Sequence, residues 1–171
     1  RKTYKDGGHI SGAVYIGDDS HWSFINSVMN MYVTTNPLHI HEFMPLTTME
    51  AEIIRMIANL YKGDENSCGI GTSGGTESIL LAILAYREQG RIEKGIRKPN
   101  IVACETAHAA VDKACFYFGM EVRKAPVKKD LSMDVHAMSK LIDSNTVLIY
   151  CSGPEYPFGM YDPVSEVAAL A

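Results

Sequence analysis

The chain has 171 residues, 46% of them apolar and 21% charged, with 16 Lys and Arg against 20 Asp and Glu. These proportions describe a globular domain and exclude a disordered, collagenous or disulfide-scaffold chain. A formal charge of -4 supplies no basic field for nucleic acid or for an anionic membrane surface, so neither is expected as a partner. The longest apolar run, residues 79–86, is far below the roughly 18 to 20 residues that cross a bilayer, and a water-soluble stretch is expected. Cys68, Cys104, Cys115 and Cys151 form no CxxC pair. Their apolar or small-residue surroundings read as core packing in a reducing compartment.

Residues 1–17 are rich in Gly and small side chains without a sustained period, and read as an extended arm. Asp18 or Asp19 then caps a helix running to about Thr34, with Trp22, Ile25, Val28, Met29 and Tyr32 at spacings of three and four. Asn36-Pro37 ends it. After the loop 36–45, Thr47 or Thr48 caps a second helix with the stripe Met49, Ile53, Met56, Ile57 and Leu60, closed by Gly63. A glycine-rich segment, 68–75, opens a helix that is apolar almost all round over 79–86, which predicts burial on more than one side. Strand 100–104, helix 107–118, strand 121–127, helix 135–143 and strand 146–151 follow in alternation, with a last helical pattern over 163–171. That order predicts an α/β architecture with a largely parallel sheet and ligands at the carboxyl ends of its strands. The charged stretch 89–99 reads as a loop.

Three segments carry candidate chemistry. In Gly71-Thr72-Ser73-Gly74-Gly75-Thr76-Glu77-Ser78, small residues let backbone amides approach a ligand at a helix N-terminus, with hydroxyls as further donors. A phosphate would fit there. The alternative is a tight turn that merely precedes a helix. Residues 69–74 also satisfy G-x-G-x-x-G, but they follow a helix and the acidic residue expected about 20 positions on is missing, so a dinucleotide site is not expected. His108, between alanines just after strand 100–104, can lay its ring on a planar ligand or move a proton, or be a helix-start histidine satisfied by backbone. His39 and His41 alternate in the loop after Asn36-Pro37 without a third ligand at usable spacing, so no metal is expected.

Taken in order, Ser11-Gly12-Ala13-Val14-Tyr15, Asn36-Pro37-Leu38-His39, Thr72-Ser73-Gly74-Gly75-Thr76-Glu77-Ser78-Ile79, Ala107-His108-Ala109-Ala110, Tyr117-Phe118-Gly119-Met120 and Asp162-Pro163-Val164 resemble the sphingosine-1-phosphate lyase family. That family lies within the wider group of pyridoxal phosphate-dependent decarboxylases and lyases. The resemblance spans nearly the whole chain. It implies the large domain of the aspartate aminotransferase fold (fold type I), a mostly parallel sheet with flanking helices, present here in part. Residues 1–66 would form an arm and helices, and 67–171 the first part of the cofactor-binding α/β domain.

The cofactor implied is pyridoxal 5'-phosphate. By the resemblance, Ser73, Gly74, Gly75 and Thr76 hold its phosphate and His108 stacks on its ring, while Tyr15, Asn36 and His39 reach the substrate. Asn36 and His39 would position it and transfer a proton, and the arm with Tyr15 would complete a partner subunit's site in a homodimer. The reaction implied is retro-aldol cleavage of a phosphorylated sphingoid base to a long-chain aldehyde and phosphoethanolamine, with the pyridine ring as electron sink. The family's cofactor-bonding lysine and the aspartate facing the ring nitrogen lie beyond the equivalent of Ala171, so this stretch alone is expected to cleave nothing. Any membrane anchor, in the endoplasmic reticulum of eukaryotes, would precede Arg1, with the residues seen here on the cytosolic side. Two alternatives remain: an amino-acid decarboxylase of the same group, and a non-catalytic truncated relative. Ile40-His41 and Phe158 depart from the family pattern near the expected pocket, and Phe158 replaces a histidine donor.

Overall fold

The computed structural model describes residues 18–171, and the chain divides into two compact units, Arg1–Gly71 and Thr72–Ala171. Tyr15 and the segment Ser11 to Val14 lie outside the described residues.

In the first unit, α1 (Asp19–Tyr32) starts where a carboxylate can cap it: Asp18 accepts the His21 N–H at 2.9 Å. Helix α2 (Met44–Leu60) begins before the expected threonine caps. Pro45 sits in its first turn, where a missing N–H costs nothing, and the Thr48 hydroxyl turns inward to the Met44 carbonyl instead. Neither helix buries a residue. The apolar stripe of α2 stands in the open, with Ile53, Met56, Ile57 and Leu60 each more than half exposed. Alongside it runs a cavity of about 680 Å³ walled by Met49, Ile53, Ile57, Tyr61 and Ile70. Glu50, in the same wall, accepts the Gly71 N–H at 3.2 Å.

The second unit has a dry centre. Strands β1 (Asn100–Cys104), β2 (Glu121–Ala125) and β3 (Thr146–Tyr150) form a parallel sheet in the order β2-β1-β3. Every residue of the central strand is buried. Its side chains alternate between two clusters, as strand geometry requires. Ile101 and Ala103 pack with Ile83 of α3 (Gly75–Glu93) and with Val111, Ala114 and Cys115 of α4 (Ala110–Phe118). Val102 and Cys104 pack with Met138 of α5 (Val135–Ser139) and Val167 of α6 (Val164–Ala168). Helices therefore cover both faces, which is the condition under which a parallel sheet is stable.

Several boundaries differ from the sequence expectation, each for a local reason. Helix α3 runs on through Glu93, so the start of the expected 89–99 loop is helical. Only Ile83 and Gly90 of α3 are buried. It packs on one side, and its apolar residues elsewhere remain partly exposed. Strand β2 stops at Ala125 because Pro126 has no N–H for the ladder. Helix α5 stops at Ser139, where the Lys140 and Leu141 amides turn back to the Ala137 and Met138 carbonyls and close the last turn. Cys104 and Cys115 are core residues and Cys151 is partly buried, but Cys68 is exposed rather than packed. Burial pushes the Cys115 thiol up to about 11. Among the described residues, no helix is long and apolar enough to cross a membrane.

Candidate active site

The topology picks out one end of the second unit. A Cβ on Gly90, near the end of α3, would come within 2.6 Å of Val147 Cγ1, near the start of β3, and Arg87 of α3 donates to the carbonyl of Phe118 at the end of α4. The C-termini of both helices thus lie at the amino ends of the strands, and their N-termini at the carboxyl ends. From Gly75 to Gly90 the helix rises about 22 Å, more than the roughly 16 Å of a five-residue strand, so its first turn overshoots the sheet. The element after β1 turns to one face and the element after β3 to the other. The space beyond the carboxyl ends of β1 and β3 is therefore a topological switch point, where α/β sheets of this kind bind ligands.

Three pieces of chain border this end of the sheet. The first is the loop leading into α3. Its N-cap is Gly74, which offers no side-chain cap, and the first bond of the helical ladder runs from Ser78 N–H to Gly74 O at 3.1 Å. The amides ahead of it are outside the ladder. A Cβ built on Gly74 or Gly75 would meet nothing within 4 Å, so there is open room in front of them. The Thr72 and Ser78 hydroxyls bond each other at 2.7 Å and brace the loop from within. The Thr76 side chain is exposed. Glu77 reaches back to accept the Ser73 N–H at 2.6 Å; the Ser73 hydroxyl and amide hold its carboxyl below the usual range. This donor set, a helix N-terminus with open space before two glycines, suits a phosphate.

The second piece is the turn after β1. Ala107 N–H bonds the Cys104 carbonyl, and α4 begins at Ala110 rather than at Ala107. His108 makes that start: its Nδ1 accepts the Ala110 N–H at 3.0 Å. The bond fixes the ring's torsion and places the proton of the neutral imidazole on Nε2. The ring itself is exposed.

The third piece is the loop 152–162 after β3, in which the resemblance singled out Phe158 and Asp162 but not Glu155. Glu155, 3% exposed, accepts the Phe158 N–H on both oxygens at 3.0 Å and the Met160 N–H at 2.9 Å. Asp162, 6% exposed, accepts the Ser152 N–H at 2.7 Å. Burial, with the Glu155 charge nearby, pushes the Asp162 carboxyl up. Two buried acids thus shape a loop whose Tyr156, Phe158 and Tyr161 rings face out. Periodicity gives no signal for such a loop. The one sequence clue is Asp or Glu among Gly and Pro directly after a strand.

Asn36 and His39 belong to the first unit. One turn joins them: Asn36 Oδ1 accepts the Leu38 N–H at 3.0 Å, its carbonyl accepts the His39 N–H at 3.1 Å, and both side chains are exposed. Among the described residues no group of three or more His, Cys, Asp and Glu side chains is placed to hold a metal ion.

The pattern described by the pyridoxal-dependent decarboxylase conserved domain matches residues 13–156. The chain belongs to that family. A mouse (Mus musculus) protein, sphingosine-1-phosphate lyase 1, is 48% identical over 164 residues, which are 96% of this chain and 29% of that protein. The structure of sphingosine-1-phosphate lyase from Burkholderia pseudomallei K96243 superposes with a TM-score of 0.84 at 35% identity, over 94% of this chain and 38% of that one. Glutamate decarboxylase of Lactobacillus brevis superposes with a TM-score of 0.73 at 21% identity, over 91% and 36% of the two chains; this likeness concerns the fold alone. The fold is that of the pyridoxal-dependent decarboxylases, and the family's cofactor is pyridoxal phosphate. The chain spans less than a third of the mouse relative.

Proposed function

We propose that this chain is the part of a carbon-carbon lyase that seats the cofactor's phosphate and ring, and that the whole protein cleaves phosphorylated sphingoid bases to a long-chain aldehyde and phosphoethanolamine. The observation that carries the reading is the open loop 73–76 at the ligand end of the sheet, in a chain 48% identical to a sphingosine-1-phosphate lyase over 96% of its length.

In this reading the amides of Gly74, Gly75 and Thr76, with the Ser73 and Thr76 hydroxyls, hold the phosphate. His108 lies flat against the ring, its torsion already set by the Ala110 amide. The ring, when bound, supplies an electron sink for the breaking bond. Asn36 offers its side-chain NH₂ to the substrate, since its Oδ1 is engaged with Leu38. His39 takes the proton of the substrate's C3 hydroxyl, and Tyr15, from the arm, contacts the substrate's polar end in a homodimer. The boundary between an N-terminal part, 1–66, and the cofactor-binding part, 67–171, belongs to the same proposal.

The full-length protein with pyridoxal phosphate is expected to release fatty aldehyde from a phosphorylated sphingoid base and no carbon dioxide from amino acids. Carbon dioxide release without aldehyde would overturn the substrate assignment. Replacing His39 with Ala is expected to lower kcat by about 10²-fold or more while cofactor binding stays unchanged, as for loss of a general base.

A further inference from the structure

We infer that Glu77 is a placeholder anion in the phosphate seat: its carboxylate accepts the Ser73 amide and gives that donor up to the phosphate. The inference rests on the proposed phosphate seat and adds a residue to it. Gly75, Thr76 and Glu77 are the first three residues of α3, and an acid at the third position commonly reaches back to the N-cap amide. Here it reaches one residue further, past Gly74, to the Ser73 N–H at 2.6 Å. That is the shortest hydrogen bond in the loop. The Ser73 amide is therefore not available to a phosphate for as long as Glu77 stays.

The Ser73 amide cannot serve both anions at once. An amide N–H carries one proton, and a phosphate set against the amides of 74–76 would stand within a few ångströms of a carboxylate sharing the same helix N-terminus. Like charges at that range repel, less so across water and salt but still measurably. Glu77 is exposed, so its side chain has solvent to swing into. While in place it keeps the loop in the shape that a second anion needs, with the open space before Gly74 and Gly75 preserved.

The test is Glu77→Gln in the full-length protein. Glutamine keeps an acceptor for Ser73 at the same reach but carries no charge. Binding of pyridoxal 5'-phosphate is expected to tighten by about threefold or more, and binding of pyridoxal, which lacks the phosphate, to stay the same. The melting temperature of the cofactor-free variant is expected to fall, because a carboxylate at a helix N-terminus is stabilising. These opposite signs separate a placeholder from a simple cap, which predicts weaker or equal binding together with lower stability. Unchanged or weaker binding of the phosphate form would overturn the inference, as would equal tightening of both ligands. If the wild-type protein binds pyridoxal 5'-phosphate no better than pyridoxal, the seat itself fails and the inference goes with it.

Discussion

Helix α2 carries a single apolar stripe and α3 an apolar run almost all round, and the two end up in different surroundings. Ile53, Ile57 and Leu60 of α2 are open to solvent, whereas Ile83 of α3 is 1% exposed against β1 and α4. Spacing defines which face of a helix is apolar. Whether that face is covered depends on a complementary surface, and a strand buried on both faces supplies one to α3. The apolar trough along α2 has walls but, among the described residues, no filling of that kind.

Substitutions on the two helices sharpen this contrast. In urea unfolding of the chain, Ile83→Ala is expected to cost about 2 to 5 kcal/mol, through lost burial and the cavity left behind. Glu155→Ala removes the buried acceptor of the Phe158 and Met160 amides and should cost about 1 to 3 kcal/mol. Gly90→Ala forces a methyl against Val147 and should cost about 1 to 3 kcal/mol, unless Val147 turns aside. Ile57→Ala belongs at the other end of the scale, within about 0.5 kcal/mol of no change. A core-sized loss at Ile57 would break the comparison, since it would mean that the α2 face is covered in solution.

Acid titration sharpens it in another way. Arg123 first, then Asn100 and the Asn145 amide, pull the Asp143 carboxyl down to about 2. Its folded value lies below the unfolded one, so the contribution it makes to stability is complete above about pH 4 and is lost as pH falls toward 2. Asp143→Asn is expected to lower stability at neutral pH and to flatten that acid limb in pH-dependent unfolding, with variant and parent converging as pH falls toward 2.

Much of the second unit could be read from sequence because its signals are local. Asn100–Cys104 and Thr146–Tyr150 are short runs with β-branched residues between turn formers, and the structure places β1 and β3 there to within a residue. Asp18 was legible as a cap for the same reason. What escaped depends on bonds that no period encodes. The early start of α2 follows from Pro45, and the delayed start of α4 from the His108 ring capping Ala110. The reach of Glu77 to Ser73 and the shaping of 152–162 by two buried acids are side-chain to backbone bonds of the same sort. In the first unit the loop Asn36 to His39 could be located, but its role lies with a substrate, not with the fold.

The charged and polar ties among Asn100, Arg123, Asp143 and Thr146 clamp the strands where they enter the sheet, at the far end from the glycine loop. These ties and the glycine loop thus lie at opposite poles of one small slab. An engineer seeking a new specificity has room in the exposed positions of the exit-side loops, provided Glu155 and Asp162 are kept, while the entry-side clamp holds the strands in register.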